Sequence, residues 1–247
     1  MGPTRPLLAF LSLVLVAGAL LLQFFTILTG GVNSAPLNKF YFLEASTGSI
    51  SGALNPARWT FFAICGAENG LNANCGSPKP ALPFDPPRNF GTETGVPEQF
   101  LGTKQYYYLS RFMFAFYLIA LFFGAIALIT GLLALVSRLG GYISSMTTFV
   151  ALFFQALAAA LMTAWVVKGR DAFRSAGEDA HIGRYLMGFA WGSVAAYFLA
   201  TVLFCLGGKL GGDRSSGVRR TRSTKSTRSR GSFIDTESQR KTREYSP

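Results

Sequence analysis

The sequence predicts an all-α membrane protein: a four-transmembrane-helix bundle with a small disulfide-tied, partly β first extracellular loop and a disordered basic C-terminal tail. Three observations lead there. Half of the 247 residues are hydrophobic and only 14% are charged, well below the roughly 25% of an ordinary soluble domain. Four stretches, residues 7–28, 112–136, 143–167 and 185–206, contain no Asp, Glu, Lys, Arg or His. From residue 207 the composition switches to Lys, Arg, Ser and Thr.

Each apolar stretch is 22 to 25 residues long. At about 1.5 Å per helical residue each covers a hydrocarbon core of roughly 30 Å. The first is too long for a cleaved signal peptide, whose apolar region runs to about 15 residues at most, so it reads as an uncleaved anchor behind a short N-terminus, residues 1–6. Lys and Arg near the span ends set the orientation. Arg5, Arg138 in the 137–142 link and the basic start of the 207–247 tail predict that both termini are cytoplasmic. Residues 29–111 and 168–184 are then outer loops, although Lys168, Arg170, Arg174 and Arg184 in the second weaken the contrast.

The long outer loop is electrically balanced, with five basic and five acidic residues in 30–110. Its first half carries two aromatic runs, NKFYFLEAS (38–46) and RWTFFAIC (58–65), bounded by Gly, Pro, Asn and Ser as strands are. The prolines of SPKPALPFDPPRNFG (77–91) predict an extended cover that cannot join a ladder. Cys65 and Cys75 are the only cysteines outside the cytosol in this topology. A structural disulfide is the favoured reading; the rival metal site lacks the further ligands of a zinc shell.

Within the spans, Gly188, Gly192, Ala196 and Ala200 repeat every four residues. Such a groove lets helices approach closely, within the bundle or between protomers. Gln23 and Gln155 are expected to hydrogen-bond neighbouring helices. No Asp, Glu, Lys, Arg or His lies in any span, which argues against ion pathways, proton relays and voltage sensing. His181 is the only histidine, and no nucleophile with a positioned base, phosphate loop or paired metal ligands accompanies it. The reading is therefore no enzyme and no cofactor.

In the tail, Arg219, Arg220, Arg222, Lys225, Arg228 and Arg230 are expected to bind the anionic inner leaflet, at about 1 kcal/mol per basic residue. Nucleic acid is not an expected partner. Ser223 and Ser232 follow basic residues and are candidate phosphosites whose added charge would weaken lipid attachment. Cys205, at the end of the last span, is equally a palmitoylation candidate and a small core residue.

With these residues laid out, the chain resembles the fungal four-span family named for the yeast Sur-seven protein and for PalI. The resemblance rests on LNKFYFLEAST (37–47), RWTFFAICG (58–66), NCG (74–76) and PFDP (83–86), in that order. Trp59, Phe61, Phe62 and Gly66 form the outer motif. The wider claudin-like group also pairs an aromatic run with two such cysteines, but Thr60 and Phe61 stand where a Gly-Leu pair is expected, against tight-junction behaviour. The resemblance implies a non-enzymatic plasma-membrane organiser of eisosome-type domains, supporting membrane compartmentation, endocytosis and cell-wall integrity. Eisosomal or other membrane proteins and a second copy of the chain are the implied partners. A PalI-type subunit of ambient-pH sensing and a claudin-like adhesion protein are the alternatives.

Overall fold

The computed structural model describes residues 4–210. Four long helices form the bundle: α1 (Thr4–Ile27), α3 (Gln105–Val136), α4 (Arg138–Ser175) and α5 (Arg184–Leu210). A short helix, α2 (Pro86–Phe90), lies between α1 and α3. All four long helices contain a segment long and apolar enough to cross a membrane. They form a closed ring in which α1 packs on α3, α3 on α4, α4 on α5 and α5 back on α1. Large apolar side chains such as Phe10, Leu21, Phe122, Ile129 and Phe153 face outward, as on helices whose solvent is hydrocarbon.

Close approach inside the ring comes from α3. Ala120, Gly124, Ala127, Gly131 and Ala134 line its buried face. A Cβ on Gly124 would collide with the Tyr197 hydroxyl, and one on Gly131 would lie 2.6 Å from Leu13. The space at Gly124 admits a polar chain across three helices. Tyr197 Oη donates to Gln23 Oε1 (2.8 Å), Gln23 Nε2 to Gln155 Oε1 (2.7 Å), and Gln155 Nε2 to the Ala190 carbonyl (3.2 Å). One hydrogen bond thus joins the two glutamines, and Tyr197 and the Ala190 carbonyl satisfy their other ends.

The stripe on α5 sits differently. Gly188 is exposed with nothing near its α-carbon, Gly192 and Ala196 are half-buried, and only Ala200 is fully buried. A four-residue step overshoots the 3.6-residue turn and drifts around the helix. The inward face is Leu186, Ala190, Ser193, Tyr197, Ala200 and Phe204.

A five-stranded antiparallel sheet caps one end of the bundle, in the order β4-β3-β2-β1-β5. Its strands are β1 (Leu43–Ala45), β2 (Ala57–Trp59), β3 (Ile64–Glu68), β4 (Leu71–Ala73) and β5 (Ala180–Ile182). The run 58–65, expected as one strand, is two strands and the turn between them. Thr60 closes the turn: its backbone N–H donates to the Ala63 carbonyl (3.1 Å), while its hydroxyl accepts from Ala63 N (3.1 Å). Of 38–46 only Leu43–Ala45 is strand, because a 3-10 turn at Leu37–Lys39 precedes it.

Four further expectations need correction. The six-residue link 137–142 shrinks to Ser137, whose hydroxyl caps α4 by accepting from Gly140 N (2.9 Å). The segment 77–91 is not wholly extended, since a left-handed Gly91 ends the helical turn Pro86–Phe90. The segment 168–184 is not a loop. Helix α4 continues to Ser175, and its 38 residues, at about 1.5 Å each, make a rod of about 57 Å against a hydrocarbon core of about 30 Å. The remainder supplies β5, which pairs with β1. Similarly, α3 begins at Gln105, inside the expected 29–111 loop.

Gly183 makes the β5 docking fit. Its N–H donates to the Phe42 carbonyl (2.8 Å), and an added Cβ would overlap the Tyr41 carbonyl. Gly183→Ala is expected to cost about 1–3 kcal/mol by overpacking, so β5 amides should exchange hydrogen roughly fivefold faster or more. Unchanged exchange at Ala180–Ile182 would show that the close approach carries no stability.

Candidate functional site

The sheet has two unlike faces, because neighbouring residues of a strand point to opposite sides. On one face Arg58 of β2 stands opposite Glu44 of β1. Arg58 is buried, and its Nε, Nη1 and ring-facing plane each have a partner. Its Nε forms an ion pair with Glu44, Nη1 donates to the Gly70 carbonyl (3.0 Å) and to Asn72 Oδ1 (3.3 Å), and the plane lies 4.4 Å from the Tyr41 ring centre. Asn72 Nδ2 in turn donates to the Phe40 carbonyl (2.9 Å). One side chain thereby ties β1, β2 and β4 together. Burial first, and the Glu44 carboxylate second, raise the Tyr41 phenol above its ordinary value, so it stays neutral under the arginine.

On the other face Trp59 is buried among Phe84, Phe90 and Phe173, with ring centres 5.2, 5.9 and 5.7 Å away. Its indole N–H donates to Asn89 Oδ1 (3.1 Å), and Asn89 is positioned by α2. Phe84 packs on Trp165 of α4 at 4.7 Å, and Phe173 belongs to the α4 extension. Phe61, at the turn, reaches Phe114 and Tyr117 of α3 at 5.3 and 5.5 Å. A single apolar cluster therefore runs from the sheet into the bundle.

Cys65 and Cys75 form a disulfide that closes the β3–β4 hairpin. Phe62 is half-buried against Phe114, and Gly66 pairs with Ala73 in that hairpin. Cys205 is exposed on α5, its sulfur 2.8 Å from the Ser145 hydroxyl. Arg219, Arg220, Arg222, Lys225, Arg228, Arg230, Ser223 and Ser232 lie outside the described residues. His181 is exposed on β5, opposite Glu44 in register. Among the described residues no three His, Cys, Asp or Glu side chains gather as a metal site.

Sequence reasoning passed over Arg58, Glu44, Asn72 and Asn89. The signal available was a single charge in each of two short segments, LEA and ARW, that lie within or beside the aromatic runs. Opposite charges at matching strand positions are the usual mark of a cross-strand pair.

Residues 8–203 match the model of the SUR7/PalI family. The chain belongs to that family. Protein SUR7 of Candida albicans is 39% identical over 200 residues, covering 80% of this chain and 73% of that protein. The SUR7 family protein FMP45 of Saccharomyces cerevisiae is 42% identical over 191 residues, 76% of this chain and 61% of FMP45. A third relative, the uncharacterized plasma membrane protein YNL194C of the same yeast, is 37% identical over 189 residues, 75% of this chain and 63% of its own length. The chain thus spans about two thirds of the length of these curated relatives. The SUR7/PalI match begins in α1 and ends in α5, so it takes in the whole sheet, the disulfide and the Arg58 network.

Proposed function

We propose that this SUR7/PalI member is a non-enzymatic organiser of eisosome-type domains in the plasma membrane, supporting membrane compartmentation, endocytosis and cell-wall integrity. The observation that carries this reading is the continuous core from Trp59 through Phe84 to Trp165. A sheet fused to the spans in this way cannot tilt independently of them. Contacts made by the outer block with the wall or with lateral neighbours would then fix the position of the whole bundle in the bilayer. Both termini face the cytosol in this reading, and the basic tail lies on the anionic inner leaflet. Eisosomal membrane proteins, or further copies of the chain, are the lateral neighbours it calls for.

Live-cell imaging of a tagged copy in a fungal cell tests the reading. The wild type is expected in static cortical patches. The Cys65→Ser/Cys75→Ser variant, which loses on the order of 2–3 kcal/mol of loop constraint, is expected to disperse from them. A uniform or endosomal wild-type signal would overturn the proposal in favour of a pH-sensing role.

A further inference from the structure

Between β5, the α4 extension and the β3–β4 turn lies an open recess of about 630 Å³. Five basic side chains, Lys39, Arg58, Arg170, Arg174 and Arg184, line it against one carboxylate, Glu44. Glu44 is already paired with Arg58, and Arg170 is paired with Asp171. Arg174 spends its Nε on the Ala180 carbonyl (3.0 Å), which leaves its terminal nitrogens for another acceptor. Lys39 and Arg184 are exposed, and neither has an ion-pair partner among the described residues. Such a concentration of like charge around one concavity is self-repelling and favours an anion as its occupant.

The depth of the recess narrows the choice of anion. Arg184 opens the last apolar span, Arg184–Gly208, so this rim stands where the helix leaves hydrocarbon. Tyr185 beside it, which packs on Phe40 at 5.5 Å, gives this part of the lining an aromatic character suited to headgroup level. The lining also offers polar groups at Asn69 and Tyr41. We propose that this recess binds a phosphate ester, with Lys39, Arg174 and Arg184 holding the phosphate oxygens. Phospholipid headgroups of the adjoining leaflet and soluble phosphate esters share that chemistry. None of the lining residues belongs to the 207–247 segment, and the proposal does not depend on the organiser reading.

The test uses the full chain in detergent micelles doped with phosphatidylinositol or with phosphatidylcholine, and native mass spectrometry counts the lipids retained. The wild type is expected to retain phosphatidylinositol about tenfold or more over phosphatidylcholine, the scale of a few charge-assisted bonds. Lys39→Gln/Arg184→Gln is expected to abolish that preference while leaving the melting temperature unchanged. Arg219→Gln/Arg220→Gln/Arg222→Gln, which alters only the tail, is expected to keep it. Unchanged retention in the Lys39/Arg184 variant, or loss of the preference in the tail variant, would overturn the proposal. A melting temperature that falls in the Lys39/Arg184 variant calls for Arg174→Lys, which keeps the charge and is expected to retain the lipid; loss there refutes a phosphate site. Glycerophosphoinositol titrated alone separates the sources. Binding as tight as that of the lipid, lost in the Lys39/Arg184 variant, supports the site with a soluble ligand, and much weaker binding supports it with a lipid headgroup.

Discussion

Arg58→Met is expected to destabilise the sheet end by about 3 kcal/mol, the lower part of the range for breaking a buried ion pair. The lower part applies because the Glu44 side chain keeps 18% of its exposure while that of Arg58 keeps 7%. Methionine fills similar space but leaves Glu44, the Gly70 carbonyl and Asn72 Oδ1 without their donor. For a chain of this size the loss corresponds to a fall of roughly 6–12 °C in the melting temperature, measurable by thermal unfolding in detergent. Arg58→Lys should not restore stability, since one ammonium cannot address three acceptors and lie flat on Tyr41. The double variant Arg58→Met/Glu44→Leu should recover much of it, because an apolar pair leaves no buried charge behind. A single variant as stable as the wild type would show that the network is dispensable for the fold.

Trp59→Ala is expected to cost about 3–5 kcal/mol, the usual range for emptying a buried aromatic site. The rings of Phe84, Phe90 and Phe173 would each lose a neighbour, and with them the seal between α2, the sheet and α4. Trp59→Phe keeps most of that packing and loses the hydrogen bond to Asn89, at about 1 kcal/mol. Asn89 Oδ1 would still accept from Asp85 N (3.2 Å), which limits the damage. Limited proteolysis of the 77–104 segment reads the difference: rapid cleavage in Trp59→Ala and near wild-type resistance in Trp59→Phe. Equal resistance in both would mean that the segment is held by something other than the tryptophan.

Elements dominated by one local signal were legible in the sequence. Each span announces itself through the absence of charge over more than 20 residues, because hydrocarbon penalises every unpaired charge regardless of the fold. The disulfide follows from there being two cysteines on one side of the membrane. Strand limits were not legible in RWTFFAIC, where a hydroxyl closes a turn inside an aromatic run. Apolar residues there serve two faces and a turn at once, so periodicity gives no boundary. The α5 stripe has a related limit: small residues permit close approach, but only the neighbour's position decides whether it happens within one chain. At Gly124 a tyrosine arrives; at Gly188 nothing does.

By itself the sequence determined the four spans, the two-cysteine tie and the split between an apolar bundle and a basic tail. These follow from hydration and redox chemistry acting on residues close together in the chain. The tertiary structure alone decided that the second connection completes the sheet through β5. It also decided that Arg58 meets Glu44, Gly70 and Asn72, and that Lys39, Arg174 and Arg184 line one recess. Residues 39 and 184 are brought together by antiparallel pairing of strands that lie more than 130 positions apart. No local pattern encodes such a meeting, because its free energy comes from burial and hydrogen bonding that exist only once both segments have docked on the bundle.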